Sequence, residues 1–175
     1  MEGSLRTVRK FIEEKVSEAG QREFLYFEDR IWTYNDFNER INQAANAFRK
    51  NGIRKQDRVC IMLPNSPDFL FAWLGLNKIG AIMVPINTAF KTRETRYILE
   101  HCEATGFIVS PDKLEIVHEA KRTCQQVKWV WVSGKNINSA EDHFGKLCDN
   151  CSTSLEETPL DEEDTASIIY TSGTT

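Results

Sequence analysis

The residues best suited to chemistry stand at the end of the chain. Thr171-Ser172-Gly173-Thr174-Thr175 follows directly on the apolar stretch Ala166-Ser167-Ile168-Ile169-Tyr170. A Ser/Thr/Gly loop behind a buried strand presents hydroxyls and uncovered backbone N–H groups. Glycine lets the main chain approach an anion closely, so the chemistry is phosphate binding. The alternative is a plain polar turn. Other candidates are poorer. Cys148 and Cys151 have metal or redox spacing. Zinc needs four ligands and only His143 lies near, while a redox pair belongs at a helix start after a strand and this pair falls in a polar loop. No metal site is expected. His101, His118 and His143 have no carboxylate partner pattern and read as structural. Trp32, Trp73, Trp129 and Trp131 fall in expected strands and one buried helix, where core packing outweighs ligand stacking.

Composition narrows the class. The chain has 175 residues, 41% hydrophobic and 27% charged, which excludes disorder, collagen and coiled coil. Its net charge is -4, and six acids (Glu156, Glu157, Asp161, Glu162, Glu163, Asp164) crowd one stretch, so the remainder carries +2. With no basic stripe, nucleic acid is not an expected partner. The acidic stretch reads as a solvated connection. The start has no continuous apolar core of a secretory signal. The most apolar run, Phe69 to Leu76, is too short for a bilayer, which needs about 20 residues. Five cysteines suit a reducing compartment, and a cytoplasmic location is expected.

The positioning elements follow from periodicity. Thr7 to Ala19 reads as a helix, and Phe24–Phe27 with Ile31–Thr33 as a hairpin. Thr33 caps a helix through Asp36, and that helix ends at Asn51-Gly52. Arg58 to Leu63 is strand-like. Ser66 and Pro67 then open an apolar helix to Ile79, closed by Gly80. Ala81–Ile86, Phe107–Ser110, Val127–Val132 and Ala166–Tyr170 read as further strands. Helices are expected over Thr92–Ala104 (stopped by Gly106), Asp112–Thr123 and Ser139–Leu147. Alternating strands and helices predict an α/β fold, a mainly parallel sheet covered by helices, with ligands at the carboxyl ends of the strands. A flavodoxin-like or receiver domain would want a phosphate or acidic cluster after its first strand, and Pro64-Asn65-Ser66-Pro67 is neither.

Tyr170-Thr171-Ser172-Gly173-Thr174-Thr175 resembles the opening of the phosphate loop of the adenylate-forming (AMP-binding) acyl-CoA synthetase superfamily. The family motif goes on with Gly, a variable residue, Pro, Lys and Gly, which this chain does not contain. Leu74 to Asn87 resembles a helix–Gly–Ala–strand–Pro segment of the same family. So does Trp32-Thr33-Tyr34 with the helix ending in Asn51-Gly52-Ile53 and the following Asp57-Arg58-Val59. Gly52 to Lys55 and Lys78 to Asn87 look most like crotonobetaine/carnitine–CoA ligases, with medium- and long-chain fatty acid–CoA ligases close behind.

The resemblance implies a ligase that converts a carboxylic acid and ATP to acyl-adenylate and pyrophosphate, then transfers the acyl group to CoA, with Mg2+ as cofactor. It assigns Thr171, Ser172, Gly173, Thr174 and Thr175 to the β- and γ-phosphates and places every catalytic residue beyond Thr175. Residues 1-52 are expected to pack on a second subdomain and 53-175 to form an α/β subdomain cut within its phosphate loop. The chain alone is then expected to be inactive, with the apolar face of Tyr34 to Asn51 uncovered and self-association possible. The competing class is a non-catalytic nucleotide- or protein-binding module built on the first subdomain.

Overall fold

In the computed structural model, which describes residues 7–135 and 139–171, the chain opens on helix α1, Val8–Ala19. Thr7 caps it by accepting from Lys10 N. Strands β1, Glu23–Phe27, and β2, Arg30–Thr33, form an antiparallel hairpin. Thr33 and Asp36 make the expected reciprocal cap of α2, Tyr34–Lys50. Such caps contribute about 1 kcal/mol. Gly52, at φ +87, supplies the left-handed turn after it.

The main sheet has five parallel strands in the order β4-β3-β5-β6-β7. They are β3 Arg58–Met62, β4 Ile82–Pro85, β5 Gly106–Val109, β6 Trp129–Val132 and β7 Asp142–His143. Helices α3 (Pro67–Lys78), α4 (Thr92–His101) and α5 (Leu114–Lys121, after a 3-10 turn at Pro111–Lys113) make the crossovers. A last helix, α6, spans Phe144–Asp149. Strand residues alternate between faces. Val59 and Ile61 join a core with α2, α3 and α6, and Cys60 and Met62 join one with α4 and α5.

Four expectations change. The face of α2 is not uncovered: Phe37 is 4% exposed, and Ile41, Ala44, Ala45 and Phe48 are wholly buried. The reason is α3, apolar on most sides, which needs a cover and receives α2 where Gly75 lets the backbones approach. A Cβ on Gly75 would lie 3.0 Å from Ala44 Cβ and 3.1 Å from Ala45 N. Helix α4 stops at His101, because the chain turns at Glu103 with φ +50. Gly106 instead starts β5, and the indole of Trp129 fills the place of a Cβ, 2.2 Å from it. The segment 139–147 is not one helix, since Asp142 and His143 pair with Trp131 and Val132 to extend the sheet. The stretch Ala166–Tyr170 is not a full strand. Among the described residues of this stretch only Ser167 pairs, in parallel with Met83.

The acidic connection is held rather than free. The polar side of α2 donates to its main chain: Asn42 to Thr153 O at 2.8 Å, and Asn46 to Ser152 O and Ser154 O, each at 2.8 Å. Arg9 donates to Glu156 O at 3.0 Å, and Lys55 pairs with Asp164 at 2.6 Å. Among the described residues no helix is long and apolar enough to cross a membrane.

Candidate functional site

The approach to Thr171 is built by β4 and α4. Met83 N donates to Ala166 O at 3.2 Å, and Ile168 N to Met83 O at 3.0 Å. The buried Asn77 amide also donates to Ala166 O, at 2.8 Å. These bonds run the segment parallel to β4 and deliver Thr171 to the carboxyl side of the sheet. Tyr170 is then fixed by α4. Its hydroxyl is hydrogen-bonded to His101 Nδ1 at 2.8 Å, and Tyr97 meets its ring edge-on at 6.4 Å between centroids. Burial against the second core pushes the Tyr170 phenol up to about 12. It therefore stays neutral as an anchor.

Thr171 is exposed and lines an open cleft of about 480 Å3 with Phe90, Arg93, Glu94, Tyr97 and Ile98. Glu94 accepts from Lys91 N at 3.1 Å, and these backbone bonds hold its carboxyl below the usual range. Arg93 puts a positive charge beside the start of the loop. Ser172, Gly173, Thr174 and Thr175 lie outside the described residues. Sequence reading missed Arg93, Tyr97 and Tyr170 as shapers of this place. A polar helix face reads as solvated, and only the fold brings α4 to residue 170. His101, read as structural, serves as the partner of Tyr170.

The site lies at an edge of the sheet, beyond β4. The strand order reverses between β3 and β5, where doubly wound sheets commonly bind ligands. The Pro64–Ser66 turn follows β3 and Ser110 follows β5, its hydroxyl donating to Asp112 at 2.7 Å. The strand order is that of the flavodoxin-like sheet, so loop chemistry rather than topology separates the two readings. Cys148 is buried in the first core, and Cys151 Sγ donates to Leu147 O at 3.3 Å. Among the described residues no group of three or more His, Cys, Asp or Glu could hold a metal ion.

The family described as AMP-binding enzyme matches residues 12–175. A crotonobetaine/carnitine–CoA ligase of Proteus mirabilis (strain HI4320) is 38% identical over 155 residues, covering 83% of this chain and 29% of that protein. One from Salmonella agona (strain SL483) is 35% identical over 179 residues, covering 97% and 35%. The chain thus spans about a third of the length of these relatives. An anthranilate CoA ligase in complex with anthranoyl-AMP matches with TM-score 0.91 and 27% identity, over 98% of this chain and 33% of that one. A long-chain-fatty-acid–CoA ligase from Archaeoglobus fulgidus shares the fold with TM-score 0.85 at 24% identity, over 98% and 35%. The family match runs from within α1 to Thr175, and the chain therefore belongs to the AMP-binding enzyme family.

Proposed function

We propose that the chain is the amino-terminal part of an ATP-dependent acid–CoA ligase. The observation that carries this reading is the sequence Tyr170 to Thr175, which leaves a segment paired with β4 in a fold that matches a ligase holding an acyl-adenylate. The reaction joins a carboxylate oxygen to the α-phosphorus of ATP with loss of pyrophosphate. The thiol of CoA then takes the acyl group and AMP leaves. Both partners in the first step are anions, so oriented N–H donors and cations must neutralise charge. Thr171, Ser172, Gly173, Thr174 and Thr175 hold the β- and γ-phosphates, with Arg93 supplying positive charge nearby. Mg2+, which the family resemblance implies, would supply charge neutralisation at the phosphates. The described cleft does not fit a Mg2+ site, because its one carboxylate, Glu94, already caps α4.

Residues 1-52 and 53-175 act as one packed unit in this reading. The outer side of the β1–β2 hairpin, where Phe24, Tyr26 and Ile31 are 44%, 63% and 52% exposed, receives later sequence. The acid is first sought among carnitine-like and fatty acids, following the relatives. The test uses the polypeptide of the complete reading frame with ATP, Mg2+, CoA and a panel of acids. AMP and pyrophosphate should appear only with an acid present. Release of ADP, or release without acid, overturns the proposal. The 175-residue chain alone should release no AMP and bind ATP more weakly than micromolar. Tight ATP binding by the chain alone, without turnover by the longer protein, favours a non-catalytic binding module.

A further inference from the structure

Cys60, Cys102 and Cys124 lie in the core beneath α4 and α5. Cys60, on β3, is wholly buried, and Cys102, the residue after α4, keeps 6% of its surface exposed. Their sulfurs are 3.9 Å apart, although 42 residues separate them in sequence. We propose that Cys60 and Cys102 are a hydroperoxide-sensitive thiol pair that closes to a disulfide between β3 and the end of α4.

The two thiols are unequal. Burial pushes the Cys60 thiol up and keeps it protonated. Cys102 lies below the ordinary thiol value, because its contact with the Cys60 sulfur and the Arg58 guanidinium beside it outweigh its burial. Arg58 Nε donates to Cys102 O at 2.8 Å, which fixes that cation in place. A thiolate beside a cation is the nucleophilic form. Cys102 attacks one peroxide oxygen, the O–O bond breaks, and the leaving hydroxide or alkoxide takes a proton. Cys102 is oxidised to the sulfenic acid as the peroxide is reduced to water or alcohol. Cys60 then attacks the Cys102 sulfur, its proton goes to the departing oxygen, and water leaves as the disulfide forms. The sulfurs must close to about 2.05 Å. Cys102 follows the last helical residue, its N–H donating to Ile98 O at 3.0 Å, so the closing takes place at the end of α4. The other close pair is not activated: burial pushes Cys148 far up, and Cys151 donates to a backbone carbonyl.

For the test, the reduced chain is treated with hydrogen peroxide, quenched with N-ethylmaleimide and digested without reductant. Peptide mapping should find Cys60 linked to Cys102, forming about tenfold faster than any oxidation of Cys148. Cys60→Ala should leave Cys102 as a sulfenic acid that dimedone captures. If that variant does not fold, the map of the unmodified chain decides alone. Cys60 and Cys102 that stay reduced while Cys148 or Cys151 oxidise, or a link that forms only in urea, overturns the proposal.

Discussion

Lys78 is a buried cation of the fold. Its side chain has no exposed surface, and its ammonium donates to Asn38 Oδ1 at 2.5 Å and Asn42 Oδ1 at 2.8 Å, with Glu13 at 3.7 Å. Burial lowers it from 10.5 to about 8, Arg9 adds to the lowering, and Glu13 opposes it. Between those values the unfolded chain holds a proton that the folded chain has released. Stability must then rise as pH climbs from about 8 to 10.5, by on the order of 3 kcal/mol over the full span. The expected outcome is that this rise, read from denaturant midpoints at pH 7 and 10.5, is present in the native chain and absent in Lys78→Met. Subtracting the two removes the other titrating groups, and equal rises in both would show that Lys78 is not the cause. None of this is visible in sequence, since the partners lie 36 to 40 residues away. Local signals were readable: Thr33 with Asp36, and Ser66 with Pro67, act over three residues or fewer and cap the helices they were assigned to.

At the scale of elements, the informative contact is between α2 and α3. The stripe of Phe37, Ile41, Ala44, Ala45 and Phe48 was legible as a helix face, and α3 was legible as buried. That each covers the other was not, because periodicity names a face and not its partner. Gly75 is the key to the crossing, since a Cβ there would come 3.2 Å from Ile41 O and 3.0 Å from Ala44 Cβ. Backbone cannot yield as a flexible side-chain tip does, so Gly75→Val overpacks the interface. The expected cost is about 1–3 kcal/mol, measured as a lower denaturant midpoint. Gly75→Ala should fall between the native chain and the valine variant. A valine variant as stable as the native chain would mean the helices separate freely. The segment at Ser167 reads as a strand in sequence and pairs at one residue only, because ladder pairing needs a neighbour that sequence pattern does not supply.

At the scale of the molecule, the two core clusters lie on opposite faces of one sheet, and α1, the hairpin and α2 cover the first of them. The connection from 150 to 164 adds little apolar burial and is held by side chains reaching its carbonyls. That division predicts two levels of stability within one chain. The sheet and α2 should open only with global unfolding, while the connection should open locally. Asn46→Ala tests it, because Asn46 gives two bonds to the connection, to Ser152 O and Ser154 O, and neither to the core. Each such bond is worth about 0.5–1.5 kcal/mol at most, so amide exchange over 151–160 should accelerate about tenfold. Exchange in α2 and β3 should not change. A uniform acceleration in all three would mean that the connection is part of the cooperative core, and unchanged exchange over 151–160 would mean that Asn46 does not hold it.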